Sequence, residues 1–463
     1  MDIFDLMTKQ VSDSLDDISL RGRSLEDIVN NEAKEYAIYT VENRAIPNLI
    51  DGFKPVQRFV MYRALELGRG NKEKFHKLAS IAGGVADAGY HHGEGSAQDA
   101  GALMANTWNN NYPLLDGQGN FGSRLVQKAA ASRYIFCRVS DNFRNVYKDS
   151  DIAPKHKDNE HTPPAYYLPI IPTVLLNGVR GIATGYATNI LPHSFGSLVE
   201  CTKLALEGKL DKEPEVAIPQ FRGKIIPLED GGVELHGLYK FTSSAGMYIS
   251  EIPAKFDRET YVEKVLEPLV DKNFISYVDD CSKTGFGFKI KFRKDYDLDS
   301  MHHDEKAKHD KIMRDFKLIE KLSQFIVVID ENGKLNDKFA KSSDLIKHFV
   351  EVRKTYIVER IKHKTAECLE EFKLALAKAK FIKQVIDGEI VIQGKTRKQL
   401  TSEIAKNPVY TDFVEKLVAM NIYHMTSDEA KKLAQFAKEK KDEHKYWTET
   451  TPEVEYLKDL EAL

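Results

Sequence analysis

From Ser342 to Asp387 the chain runs without a proline or a glycine, and Gly388 ends the run. These 46 residues predict one helix of ~69 Å at ~1.5 Å per residue. Leu345, Phe349, Val352 and Tyr356 recur at helical spacing, and Leu369, Phe372, Leu376 and Ala379 continue the stripe. An isolated helix of that length needs a partner to bury its apolar stripe. The segment opening at "TSDEAKKLAQFAKEKKDE" supplies one, because Thr426 and Glu429 have the spacing of a capping box. Residues 388–425 between them read as a compact helical knob. The expectation for 341–463 is therefore a long antiparallel coiled coil with a small helical globule at its tip, a common dimerisation device.

The whole chain has 463 residues, too many for one compact core, so two to four domains are expected. Apolar residues make up 42% and charged residues 30%, an ordinary globular composition. No apolar run approaches the ~20 residues that span a bilayer. The opening "MDIFDLMTKQVSDSLDDISL" is acidic and interrupted by polar residues, unlike a signal peptide, and 1–25 reads as a polar leader. Cys137, Cys201, Cys281 and Cys368 are scattered, which fits a reduced, cytoplasmic protein without structural zinc.

Residues 26–150 read as short helices followed by an extended element. "SLEDIVNNEAKEYAIYTVENRAI" predicts a helix capped by Ser24, with Glu26 and Asp27 in its first turn. Pro55 opens a second helix through Leu67. "FHKLASIAGGVADAG" and "GSAQDAGALMANTWNN" predict two more, and "NNNYPLLDGQGNFGSRL" a shaped loop. With the run "YIFCRV" behind it, this pattern is compatible with a winged helix-turn-helix domain, though many small helical domains share it. Residues 151–340 turn β-rich, with helices expected at "FGSLVECTKLALEG" and "DRETYVEKVLEPLVD", and so predict a second, α/β domain. The fold class expected is a multidomain α+β chain.

The net charge of −3 excludes a uniformly basic nucleic-acid binder, but charge is unevenly placed. Between Lys54 and Ser80 stand seven Lys/Arg and two acids, and from Gly122 to Arg144 five basic residues and one acid. Such clusters can mark a phosphate-binding face. Several chemistry-like patterns fail on inspection. "GEIVIQGKT" separates its glycines by five residues where a phosphate loop needs four. "DYDLDS" lacks the sixth-place glycine of a calcium loop, and Lys306 stands where the bidentate glutamate belongs. "HHDEKAKHD" reads as a solvated charged loop, and Glu94 in "GEGSA" follows no apolar strand. No metal-ligand set emerges.

What survives is an ordered series: "RAIPNLIDGFKPVQRFVMY", "YHHGEGSAQDAG", "PLLDGQGNFGS", "AAASRYIF" and "VLLNGVRGIATGYATNILPH". In that order they resemble the DNA-cleaving region of type IIA DNA topoisomerases. "GQGNFGS" is similar to the bacterial gyrases, "YHHGE" and "RYIF" to the eukaryotic enzymes. The resemblance implies that Tyr134 is the nucleophile that breaks the DNA backbone, with Arg133 stabilising the phosphoryl oxygens. It implies supporting roles at the phosphate for Arg44, Lys54, His91 and His92. DNA contacts follow for Arg58, Lys77, Ser123, Arg124 and Lys128, and Ile182 would be the wedge that bends the duplex. Gln57 stands where the bacterial pattern has a histidine, so no general-base role is implied there. The family reading makes residues 151–340 a DNA-binding tower domain. It further implies double-stranded DNA as substrate, a homodimer through the knob, and Mg2+ and ATP held by a separate ATPase/metal-binding subunit. Relaxation and decatenation are expected of the holoenzyme, because no wrapping domain follows the coiled coil. A non-catalytic winged-helix DNA binder on a coiled-coil dimer is the alternative.

Overall fold

A computed structural model describes residues 28–296, 298 and 304–463. The polar leader and the capping residues Ser24, Glu26 and Asp27 lie outside the described residues, as do Asp297, Asp299, His302 and His303 of the two rejected metal patterns. Two compact units divide the chain, one running to Val350 and the other Glu351–Ala462. No helix among the described residues is long and apolar enough to cross a membrane.

In the first unit, helices Pro55–Leu67, Leu78–Gly83 and Glu94–Ala105 accompany a three-stranded antiparallel sheet. Its central strand Phe136–Val139 pairs with His76–Lys77 on one side and Leu115–Gln118 on the other. Cys137 and Val139 are buried while Phe136 and Arg138 are half-buried, the period of two expected of a strand with one covered face. Gly101 lets the third helix close on the core, since a Cβ there would stand 2.5 Å from Leu78 Cδ1. Two expectations are corrected. "FHKLASIAGGVADAG" is helical only over Leu78–Gly83, because the Gly83-Gly84 pair stops it and His76–Lys77 join the sheet. The Asn/Gly-rich loop contains the strand Leu115–Gln118, whose pairing to Phe136–Val139 is nonlocal and leaves no periodic trace.

The same unit carries the β-rich stretch. A three-stranded sheet (Lys224–Pro227, Val233–His236, Ile319–Leu322) neighbours a four-stranded one built from Leu238–Ser243, Gly246–Glu251, Phe288–Phe292 and Ile275–Asp279. Tyr261, Val265 and Leu266 from the helical stretch 258–271 share a core with Ile290 and Phe288 and with Ile312, Met313 and Phe316. Leu125, from the Gly-rich loop region, packs against that core. A hairpin of Val179–Ile182 and Ala187–Ile190 stands apart from both sheets.

The proline-free run is one helix, Ser342–Ile386, 45 residues long. Its buried line keeps Leu345, Phe349 and Ala379 of the predicted stripe and departs from it between them. Ile346, Val350, Arg353 and Ile357 are fully buried, whereas Val352 and Tyr356 are half-buried and Leu376 is exposed. Thr426 caps the return helix Ser427–Glu449, accepting from the Glu429 N–H. The two helices run antiparallel, since Glu371 meets Lys440 at 3.0 Å and Cys368 meets Glu443 three residues further on. The knob has its own core, with Leu400, Ile404, Tyr410, Phe413 and Leu417 packed on Ala377 and Phe381.

Candidate active site

Residues 129–135 form a turn fastened from three sides. Ala130 N–H donates to the Asn120 carbonyl at 2.9 Å and Tyr134 N–H to the Ala131 carbonyl at 2.9 Å. Ser132 Oγ donates to Gln98 Oε1 on helix Glu94–Ala105 at 2.7 Å. The carbonyls of Ser132 and Ile135 accept the N–H groups of Ala79 and Leu78, at the start of helix Leu78–Gly83. Gly119 crosses directly over the turn. Its φ is +118°, and a Cβ there would lie 2.9 Å from Ile135 Cγ2, so only glycine fits the crossing.

Ile135 is buried and Tyr134, its neighbour, is 65% exposed. The Arg133 guanidinium carbon lies 4.7 Å from the Tyr134 ring centroid. Phenol and guanidinium are thus presented together on a rigid, small-residue ledge. An anionic phosphodiester can approach both at once, and a planar guanidinium beside the phenolic oxygen is placed to share the phosphoryl charge. Lys77, Ser123 and Lys128 are exposed. Ser123 Oγ accepts from the Leu125 and Val126 N–H groups, which holds the loop after Gly122 in shape.

A second group gathers around the hairpin. Arg44 is exposed at the end of the first helical segment, and Ile182 is 73% exposed. His92 Nε2 lies 2.9 Å from Tyr39 Oη. Burial, with the Arg44 charge and the His91 ring nearby, holds the His92 imidazole below its usual range. His91 is exposed, 3.4 Å from Glu160. Lys54 is half-buried, and its Nζ donates to the Arg180 carbonyl at 2.7 Å. Gln57 Oε1 accepts the Lys54 N–H at 2.9 Å, a capping role at the helix start. No hydrogen bond or ion pair joins the two groups among the described residues.

Two expected DNA contacts are corrected. Arg58 is buried and bound to Asp51 through Nε at 2.7 Å and Nη2 at 2.9 Å. Arg124 is buried too, with Nη1 on Glu251 at 3.0 Å, Nη2 on the Ile252 carbonyl at 3.0 Å and Phe286 under its plane at 5.1 Å. Both guanidiniums are used inside the protein, where breaking the pair would strand a buried carboxylate. Sequence reasoning also singled out none of Tyr39, Gln98 and Gly181, which hold the site, although Gln98 and Gly181 lie inside two of the ordered motifs. Among the described residues, no three His, Cys, Asp or Glu side chains are grouped to hold a metal ion.

A family model for the A subunit of DNA gyrase/topoisomerase IV matches residues 44–461. The DNA topoisomerase medium subunit of Enterobacteria phage T4 is 64% identical over 446 residues, covering 96% of this chain and all of that one. DNA topoisomerase 2 of Plasmodium falciparum is 28% identical, over 95% of this chain and 34% of its own. A crystal structure of the Plasmodium falciparum topoisomerase II DNA-binding, cleavage and re-ligation domain superposes with a TM-score of 0.83 at 27% identity, covering 94% of this chain and 63% of that one. A protein that handles DNA at a cleavage core is therefore the class that fold and site define. The chain belongs to the family of DNA gyrase/topoisomerase IV A subunits.

Proposed function

We propose that this chain is the breakage–rejoining subunit of an ATP-dependent type II DNA topoisomerase, with Tyr134 as its nucleophile. The Tyr134 phenolic oxygen attacks a backbone phosphorus, its proton is lost, and the 3′ oxygen of the neighbouring nucleotide leaves and takes up a proton. The product is a 5′-phosphotyrosine ester. It keeps the energy of the phosphodiester, so attack by the same 3′ hydroxyl reverses the step and reseals the strand without a ligase. Two copies of Tyr134, one on each protomer of a two-fold dimer, cut both strands. The observation that carries this reading is the exposed Arg133–Tyr134 pair on its fastened ledge. A DNA binder that only positions itself has no use for a rigidly held, solvent-facing phenol, which favours the catalytic over the non-catalytic reading.

In this reading residues 26–150 are a winged-helix cleavage domain, 151–340 a tower that binds DNA, and 341–463 a coiled coil with the knob as dimerisation gate. The knob's own apolar core and its Tyr423, 85% exposed, support the last role. Arg44, His91, His92, Lys77, Ser123 and Lys128 line the phosphate path, and Ile182 is the wedge that unstacks a base step, at a cost of a few kcal/mol. Type II enzymes use Mg2+ and ATP. We infer that a partner subunit holds both, a reading the absence of a metal-holding group of three His, Cys, Asp or Glu among the described residues is compatible with for Mg2+.

The test is a covalent-adduct assay with the partner subunit, DNA, Mg2+ and a detergent quench. Wild type is expected to give DNA-linked protein, and Tyr134→Phe none, with unchanged thermal unfolding. Equal adduct from the Phe variant would sink the assignment.

A further inference from the structure

The hairpin that carries Ile182 is mounted more firmly than its exposure suggests. On one side Lys54 Nζ donates to the Arg180 carbonyl at 2.7 Å. Beneath it, Gly181 sits flush on the end of the Arg44 segment, because a Cβ there would stand 2.2 Å from the Ala45 carbonyl oxygen. Along the other strand, Asn189 and Phe325 exchange backbone bonds at 3.0 and 3.1 Å. Thr188 Oγ1 accepts the Val327 N–H at 3.1 Å. Only the tip is left, closed by Ala183 N–H on the Tyr186 carbonyl. A wedge unstacks bases only if its base cannot recoil, and these contacts meet that need.

The strand's period of two sorts its side chains. Gly181 is buried inward, while Arg180 and Ile182 both face out and are exposed. The Arg180 guanidinium has no hydrogen-bond or ion-pair partner among the described residues. The Lys54 ammonium, by contrast, is drawn out of bulk water and onto a carbonyl, and burial lowers its affinity for its proton. The residue type that suggests a phosphate contact and the residue actually free to make one are therefore different.

We propose that Lys54 is a positioning residue, holding the Ile182 hairpin at working height through the Arg180 carbonyl, and that the Arg180 side chain makes the phosphate contact beside the wedge. The proposal rests on the wedge reading of Ile182. A phosphate within reach of Arg180 would fall on the same outward face as the inserted side chain, so anchoring and insertion would act at one base step.

The experiment uses a short duplex carrying a donor and an acceptor dye at its ends, bound by the full chain together with its partner subunit. Bending is read by energy transfer at saturating protein, and affinity is read as a function of salt. Lys54→Met is expected to lower bending to the level of Ile182→Ala while leaving the salt slope unchanged. The double variant Lys54→Met/Ile182→Ala is expected to bend no less than Ile182→Ala alone. Arg180→Gln is expected to reduce the slope of log K against log salt by about 0.9, one phosphate contact, without abolishing bending. Gly181→Ala perturbs the same mount with Lys54 intact and is expected to reproduce the bending loss, which covers the case of a poorly folded Lys54 variant. Wild-type bending with a reduced salt slope in Lys54→Met, or an unchanged slope in Arg180→Gln, overturns the proposal. Unchanged bending in Ile182→Ala instead overturns the wedge reading beneath it.

Discussion

Two places in this chain put an arginine beside tyrosines, and they do opposite things. At the ledge, Arg133 lies over Tyr134 with both side chains exposed. In the core, Arg58 lies close to the phenols of Tyr147 and Tyr167, but its bonds go to Asp51. Asp51 is fully buried and fully engaged, since its carboxylate accepts from Arg58 and from the Phe53 and Tyr167 N–H groups. Its carbonyl accepts the hydroxyls of Tyr147 and Thr173. Both core phenols are buried, out of reach of a phosphate, and that burial pushes their pKa values up. Residue type is the same in the two places. Access to phosphate, and thus chemistry, is decided by burial.

The largest expected effect breaks the core side of that comparison. Arg58→Met leaves Asp51 charged and buried, and should cost about 3–5 kcal/mol in denaturant unfolding. A loss below about 1 kcal/mol with a reduced salt slope in DNA binding would return Arg58 to the DNA face. A second buried base sharpens the point through pH. His193 is buried, its Nδ1 3.0 Å from the Leu175 carbonyl, and burial lowers its pKa to about 4. The folded state therefore binds fewer protons than the unfolded chain in this range. Its contribution is intact above about 6.5 and is lost as pH falls toward 4, roughly 3 kcal/mol in all. Urea unfolding at pH 7.5 and 4.5 should show the difference, and His193→Asn should shrink it.

On the exposed side, Arg133→Ala should slow DNA cleavage about 10²-fold, near 2.7 kcal/mol of transition-state stabilisation. Its unfolding free energy should move by less than about 0.5 kcal/mol. Parallel losses of stability and cleavage would mean the ledge is structural. The smallest effect belongs to Lys128→Ala, expected to lower the salt slope of binding by about 0.9 with stability unchanged. A flat response would place Lys128 outside the DNA path.

Helices were the most legible part of the fold. Pro55–Leu67 and the cap at Thr426 sit where local signals put them, and the proline-free run is one helix of 45 residues. Each of those signals lies within a few residues of the bond it predicts. The helix's buried line leaves the predicted stripe only in part, at Val352, Tyr356 and Leu376, because which apolar face is covered depends on the partner. The strand Leu115–Gln118 was missed for a similar reason, since its bonds go to residues about twenty positions away. At the candidate site, the Arg133–Tyr134 pair and its small-residue ledge were visible as residue types in order. What fastens the ledge was not, because Gln98 meets Ser132 only in three dimensions.

The sequence by itself determined the order of the motifs, the long helix and the presence of a phenol and guanidinium side by side. These are properties of neighbouring residues and of unbroken helical propensity. Only the tertiary structure decided which cations remain available to DNA. Arg124 is claimed by Glu251, 127 residues later, and Lys54 by the carbonyl of Arg180, 126 residues later. A charged side chain's chemistry depends on whether water or another part of the chain surrounds it, and contacts at that separation are made by folding alone.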